Sequence, residues 1–435
     1  MILKPMVRNN ICLNAHPVGC ARETRRQIAY VLGRRQAYDR LEGPKAVLVI
    51  GCSTGYGLAS RISAAFGFGA ATLGVSFERS PSDSSTGTPG WYDNRAFEEA
   101  ADSSGLLARS LDGDAFSKDT KASVVAAARE MGIAFDLVIY SLASPVRVDP
   151  ETGELYRSVI KPIGGAYRGR NVDVFTGELS FAEVQAATEA EIAHTVKVMG
   201  GEDWELWIEA LGEAGLLAPR AATVAYSYIG PDLSWPIYRD GTIGAAKAHL
   251  EATAKRIAAA SREGLSAYVS INKALVTRAS SVIPVIPLYV SILYKVMKER
   301  GIHEDCIAQI DRLFRERLYR TVEGPRAAPV DAEGRIRIDE LEMGASVQAE
   351  VSARLARLRE ENLAELADIE GFKLDFLNLH GFAVEGVDYE AEVSTYGEPT
   401  VECPDGSPFE ALAFDGDCFD PIPPEASVSA GEILA

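Results

Sequence analysis

"AVLVIGCSTGYGLASRISAAFGFG" (Ala46 to Gly69) is the stretch that decides how this 435-residue chain folds. Ala46–Ile50 is an unbroken apolar run rich in β-branched residues, as a central parallel strand covered on both faces requires. It passes directly into Gly51-Cys52-Ser53-Thr54-Gly55-Tyr56-Gly57 and then into a helical pattern. Glycines between strand and helix let the backbone turn tightly and approach a pyrophosphate. The helix start then offers unpaired N–H groups and the positive end of its dipole. A second strand, "ATLGVSF" (Ala71 to Phe77), ends at Glu78. A carboxylate at that strand tip accepts hydrogen bonds from adenosine ribose hydroxyls and repels a 2′-phosphate. Residues 51–56 and Glu78 are therefore a candidate dinucleotide site that favours NADH, with Arg79 next door weakening that preference.

The strand–helix alternation continues. "LLARSL" and "DLVIYSL" read as strands three and four, with helices near Asn94–Ala101 and over Lys118–Met131. This predicts an α/β fold with a Rossmann-like, doubly wound parallel sheet. Such sheets bind ligands beyond their carboxyl strand ends, so Asp114-Ala115 and Leu142-Ala143 are expected to face adenine and the nicotinamide ribose. From Ser144 to about Glu189 the alternation breaks into a polar, turn-rich stretch, too long for a simple connection and read as a functional insertion or lid. A helix over Glu202–Ala214, a strand over Ala222–Tyr228 and a sixth strand, "AYVSINKALV", running on to Thr277 follow. Beyond Lys298 the pattern is mostly helical as far as Ala367, and past Glu390 it reads as surface loops or a loose tail. No internal repeat is read. The expected organisation is an N-terminal segment (1–45) packed on the core and a Rossmann-type NAD-binding catalytic domain (46–300) with a substrate-loop insertion at about 144–200. A helical C-terminal region (301–390) and an acidic, loop-rich tail (391–435) complete it.

Bulk properties exclude several classes. Residues 381–435 carry thirteen Asp or Glu and no Lys or Arg; removing those thirteen from the net charge of −18 leaves −5 for the first 380 residues. No basic stripe exists for nucleic acid. The longest apolar run, Val282–Tyr294, is too short to span a bilayer and holds two prolines, so it is read as a buried helix or pocket wall. No secretory signal is read at the N-terminus. The six cysteines (12, 20, 52, 306, 403 and 418) are dispersed, with no metal-binding spacing, which suits a reducing cytoplasm. His16 and His194 are assigned no role.

"WPIYRDGTIGAAKAHL" (Trp235 to Leu250) places Tyr238 in a turn just before a small-residue helix, with Thr242 as its expected N-cap and Lys247 a turn and a half inside. Near a nicotinamide cofactor, a phenol donates a hydrogen bond to a carbonyl oxygen. An ammonium holds the ribose hydroxyls and favours the phenolate. Tyr228, at a strand's carboxyl end, is placed to share the same carbonyl.

With these residues in hand, the chain resembles the NADH-dependent trans-2-enoyl-CoA/enoyl-acyl-carrier-protein reductase family. The resemblance rests on "VIGCSTGYGLA", "YSLASP", "VMGGEDWELWI", Tyr238-x8-Lys247 and "ALVTRASS", and reaches from "KPMVRNNICLNAHPVGC" to "FLNLHGFAVEGVDY". Short-chain dehydrogenase relatives use shorter Tyr–Lys spacings. The resemblance implies that Tyr238 is proton donor or enolate stabiliser, that Lys247 contacts NAD and that Tyr228 binds substrate near the thioester carbonyl. It implies a cofactor lining of Gly51, Cys52, Ser53, Thr54, Gly55, Tyr56, Phe77, Glu78, Asp114, Ala115, Leu142 and Ala143, with Leu275, Val276 and Thr277 holding the carboxamide. The implied reaction reduces the C2–C3 double bond of an enoyl thioester in fatty acid biosynthesis, with NADH and without metal or flavin. The partner is a small acyl thioester, on CoA or acyl-carrier protein. A monomer is expected, with a dimer left open, and neither nucleic acid nor membrane is involved.

Two other readings compete. A carbonyl or 3-ketoacyl reductase on the same fold would add a serine, and Ser141, Ser144, Ser227 and Ser234 offer one. A non-catalytic NAD-binding regulator would have no need for the matched phenol and ammonium.

Overall fold

The computed structural model describes residues 1–397 except 9–10, 262–263, 279 and 321–326. The part of the acidic tail beyond 397, with Cys403 and Cys418, lies outside the described residues.

Seven strands form one sheet: β1 (Ala46–Ile50), β2 (Ala71–Ser76), β3 (Ala108–Asp112), β4 (Phe135–Tyr140), β5 (Leu217–Ser227), β6 (Ser266–Ile271) and β7 (Arg335–Arg337). The order across the sheet is β3-β2-β1-β4-β5-β6-β7, and every pairing is parallel. Every residue of β1 is buried, as its apolar run demands. Because β1 is flanked by β2 and β4, the chain reverses direction across the sheet there. A ligand crevice opens at that switch point, beyond the carboxyl ends of the strands.

Two sequence expectations are corrected here. The sixth strand stops at Ile271 rather than running to Thr277. The Asn272 N–H still donates to Ser227 O of β5 (2.9 Å), but beyond it backbone N–H groups pair with side chains: Lys273 with Gln309 Oε1 (3.0 Å), Ala274 with Glu342 Oε2 (2.6 Å), Val276 with Tyr294 Oη (3.1 Å) and Thr277 with Ser280 Oγ (2.9 Å). The mostly helical C-terminal region also supplies β7, a three-residue edge strand that the sequence pattern is too short to reveal.

The insertion after β4 begins with two antiparallel hairpins, Val146–Val148 with Leu155–Arg157 and Tyr167–Val172 with Leu179–Val184. They share one turn sequence, V-D-x-x-T-G-E-L, at residues 148–155 and 172–179, so the expectation of no internal repeat is overturned at this short scale. The hydrogen bonds repeat with the letters. Asp149 Oδ1 accepts from the N–H groups of Glu151 (2.8 Å) and Thr152 (3.0 Å), and Asp173 Oδ1 from those of Phe175 (2.8 Å) and Thr176 (3.0 Å). The aspartate mimics a backbone turn in both copies. The two tips are anchored differently: in the first, buried Asp149 pairs with Lys197 (2.6 Å) and Glu151 with Lys118 (2.7 Å), while in the second Val174 is buried and Phe175 packs edge-on to Phe376 with ring centroids 5.5 Å apart.

The helix Ile286–Glu299, buried from Ile286 through Tyr294, is the buried element that the apolar run predicts. Residues 391–397 lie against the body rather than hanging free: Val393 N–H donates to Met1 O (3.0 Å) and Thr395 Oγ1 to Ser82 O (2.7 Å). Among the described residues no helix is long and apolar enough to cross a membrane. His16 caps the helix Pro17–Leu32, its Nδ1 accepting from Gly19 N–H (3.2 Å), and His194 packs against the Tyr156 ring.

Candidate active site

The glycine loop is a backbone device. Gly51 has φ +85°, and a Cβ there would strike the carbonyl of Ser141 on the β4 side. A Cβ on Gly57 would strike the carbonyl of Gly51, so only glycine lets the helix start pack this closely on the strand end. Gly51 and Cys52 N–H both donate to Val75 O (2.8 and 3.0 Å), which fixes the turn. The Cys52 side chain points inward toward Asn94 and Arg61. The helix Gly55–Ile62 begins at Thr54 with no side-chain cap, so its first-turn N–H groups are left for an anion. Tyr56 turns its hydroxyl to Lys273 O (2.7 Å) and ties the loop to the end of β6.

Glu78 lies just past β2, with its side chain mostly buried. It accepts from Ser53 Oγ (2.6 Å) and pairs with Arg278 (3.5 Å), while its N–H donates to Asp112 Oδ1 (2.8 Å). Phe77 beside it is 77% exposed. An apolar ring left this open at the strand end offers a face to a planar ligand. Asp114 and Ala115 follow β3. Asp114 Oδ1 accepts from Phe116 N–H (3.0 Å), and Ala115 is buried with its carbonyl accepting from Trp207 Nε1 (3.1 Å). Leu142 and Ala143 follow β4, Leu142 half-buried and Ala143 exposed. These residues and the loop 275–277 thus stand at the same end of the sheet.

Tyr238, Tyr228 and Lys247 converge on the end of β5. The rings of Tyr228 and Tyr238 meet edge to face with centroids 5.0 Å apart, and Lys247 Nζ donates to Tyr226 O (3.1 Å). The helix Thr242–Ala260 starts one residue earlier than expected, with Gly241 at the N-cap. Thr242 is not the cap: its hydroxyl accepts from Lys161 N–H (3.2 Å) and donates to Val159 O (2.5 Å), docking the helix start on the insertion. Burial pushes the Tyr238 phenol up to about 12. Burial likewise lowers the Lys247 ammonium to about 8. A phenol raised this far holds its proton at neutral pH.

Two residues at this centre, Glu342 and Lys273, have no signal in the sequence, while a third, Tyr289, lies on the run Val282–Tyr294 read as a buried helix or pocket wall. Glu342, fully buried, accepts from Tyr228 Oη (2.9 Å) and Tyr289 Oη (2.6 Å), while Lys273 is buried beside it with Nζ donating to Ala274 O (3.0 Å). "IDELEMG" reads as an exposed acidic helix start, and nothing local says that one of its carboxylates is buried.

A glycine loop between strand and helix, with Tyr228 against Tyr238 and Lys247 bound to Tyr226 O at the end of β5 on one doubly wound sheet, is the arrangement of a nicotinamide-dependent oxidoreductase. Family comparisons narrow the class. The profile described as the trans-2-enoyl-CoA reductase catalytic region matches residues 85–319, and the NAD(P)H binding domain of trans-2-enoyl-CoA reductase matches 2–83. A trans-2-enoyl-CoA reductase [NADH] of Treponema denticola is 56% identical over 91% of this chain and 99% of its own. An enoyl-[acyl-carrier-protein] reductase [NADH] of Cytophaga hutchinsonii is 52% identical over 91% and 98%. The crystal structure of the Treponema denticola trans-2-enoyl-CoA reductase in complex with NAD superposes with a TM-score of 0.89 at 55% identity, covering 92% of this chain and all of that one. The chain belongs to the trans-2-enoyl-CoA/enoyl-acyl-carrier-protein reductase family and is an NADH-dependent oxidoreductase.

A third profile, described as the enoyl reductase FAD binding domain, matches 330–393. The described residues there do not fit a flavin dinucleotide. β7 passes through Ile338 and Asp339 into its helical turn with no glycine to let a pyrophosphate approach. Asp339 pairs with Arg337 and Glu340 with Arg312 and Arg317, and the helices beyond bury their apolar faces against Ile286–Glu299.

Proposed function

We propose that the chain reduces trans-2-enoyl-CoA, with Tyr238 as the group that stabilises and protonates the reacting thioester. The observation that carries this reading is the convergence of Tyr238, Tyr228 and Lys247 at the end of β5, beside the glycine loop. NADH would be held by residues 51–56 at its pyrophosphate, by Phe77, Glu78, Asp114 and Ala115 at its adenosine, and by Leu142, Ala143, Lys247 and 275–277 at its nicotinamide half. Bound there, it supplies the hydride that adds to C3 of the substrate. The chain's part is to meet the charge that then develops on the thioester oxygen. Tyr238 Oη–H donates to that oxygen, and a donor aimed at developing charge stabilises the transition state more than the ground state. Burial keeps the proton on Tyr238 until then. Lys247 remains cationic near neutral pH and holds ribose hydroxyls. Tyr228 binds the thioester from the other side of the Tyr238 ring.

The overall acidity of the chain leans toward CoA over acyl-carrier protein as the acyl carrier, because carrier proteins are acidic and dock on basic patches, but the near-neutral body leaves either open. Only −5 of net charge is spread over the first 380 residues, with the acid concentrated beyond. A monomer acting in the cytoplasm completes the reading. The test is NADH oxidation with crotonyl-CoA, crotonyl-carrier protein and acetoacetyl-CoA, for wild type and Tyr238→Phe. Turnover of crotonyl-CoA that collapses in the variant while NADH still binds is expected. Turnover of acetoacetyl-CoA alone would replace this reading with the ketone reductase.

A further inference from the structure

Glu342 is 114 residues from Tyr228 in sequence and the mechanism above does not use it, yet it is the hydrogen-bond partner of Tyr228. Its Oε1 receives both the Tyr228 and the Tyr289 hydroxyls, and its Oε2 receives Ala274 N–H, one residue before the loop expected to hold the carboxamide. A tyrosine has one hydroxyl proton. While Glu342 is ionised, that of Tyr228 points at the carboxylate and is unavailable to a thioester oxygen. When Glu342 carries a proton, the acid donates to one of the two phenols, and Tyr228 is released to donate elsewhere.

We infer that Glu342 is a positioning residue whose charge state sets which way the Tyr228 hydroxyl donates, and that it anchors the 275–277 loop through Ala274. This rests on the proposal that Tyr228 faces the substrate. The surroundings make the switch sensitive. Burial pushes the Glu342 carboxyl up from its ordinary range; the Tyr289, Ala274 and Tyr228 hydrogen bonds and the Lys273 ammonium pull it back without cancelling the rise. The groups facing Glu342 are Tyr228 from the end of β5, Lys273 from the end of β6, Tyr289 from the helix Ile286–Glu299 and Tyr56 from the helix after the glycine loop. Gln348, from the following helix, donates to Tyr289 Oη (3.2 Å) and to Glu342 O (2.7 Å). Among these Lys273 is the one cation, with its own ammonium lowered to about 8 by burial.

The experiment is the pH profile of kcat/KM for crotonyl-CoA between pH 5 and 9, in wild type, Glu342→Gln, Tyr228→Phe and the double variant. Wild type is expected to lose activity on the order of tenfold as pH rises through the Glu342 titration, a fraction of the ~10²–10³ that one oxyanion donor supplies. In Glu342→Gln the amide nitrogen donates to both phenols at every pH, so that limb vanishes and only the Lys247 limb remains. Tyr228→Phe also lacks the limb, and adding Glu342→Gln to it changes kcat by less than twofold. A Glu342→Gln variant that keeps the limb, or losses that multiply in the double variant, overturns the inference while leaving Tyr228 at the substrate. Wild-type activity of Tyr228→Phe at every pH overturns the substrate reading and this inference together. If Glu342→Gln does not fold, the wild-type and Tyr228→Phe profiles decide alone: a limb shared by both sinks the proposal.

Discussion

The glycine loop after β1 and the tyrosine cluster after β5 stand at the same end of one sheet and are built in opposite ways. The loop is made of backbone: two glycines where a Cβ would strike a carbonyl, and a helix start left uncapped. All of it lies within seven consecutive residues. The cluster is made of side chains drawn from residues 228–247, 273–289 and 342, and its buried carboxylate comes from the helical turn past the edge strand β7. A backbone site tolerates changes of side-chain chemistry but not added volume. A side-chain site tolerates small changes of volume but not of chemistry.

The sharpest way to break that contrast is Tyr238→Phe, which removes one oxygen and no packing. We expect kcat to fall ~10²–10³-fold, worth about 3–4 kcal/mol of transition-state stabilisation, with the melting temperature and NADH affinity close to wild type. Stopped-flow turnover and NADH titration check it. At the loop the expectation inverts. Gly57→Ala adds one methyl against a carbonyl and should lower folding stability by about 1–3 kcal/mol while weakening NADH binding, read by urea denaturation and titration. Loss of turnover with stability unchanged there would mean the loop acts chemically.

Lys247 bridges the two regions, and its prediction is one of pH. Burial lowers its ammonium from 10.5 to about 8. The charge that holds ribose hydroxyls is therefore present below that value and lost above it. NADH affinity should weaken as pH rises through about 8, and Lys247→Met should bind weakly with no such dependence. Glu78→Gln carries the smallest effect. It keeps the Ser53 contact and removes the charge, so NADH should lose about 1 kcal/mol or less and NADPH should gain, measured as the ratio of the two kcat/KM values.

The same contrast explains what the sequence discloses. The sheet, the cofactor loop and Glu78 are local patterns: an apolar run, spaced glycines and an acid at a strand tip. Tyr238-x8-Lys247 is also a local pattern. Glu342 escapes because its burial is decided by where a helical turn past β7 lands, and the seventh strand escapes because three residues carry no periodicity. The sixth strand is overextended for a related reason. "KALV" is as apolar as a strand, but its N–H groups face Gln309, Glu342 and Tyr294.

The repeated turn of the insertion bears on the order in which this chain folds. Eight-residue turns that carry their own aspartate and threonine bonds can close before distant partners such as Lys197 reach them. Hairpins of this kind close on the order of microseconds. Pairing β6 with β7 instead brings Val269 to Arg335 and costs more closure entropy. Residues 148–155 and 172–179 should gain amide protection early and together, in the same burst under pulse labelling. Exchange at both tips should then slow further as their anchors close, Phe376 over Phe175 at one and Lys197 onto Asp149 at the other.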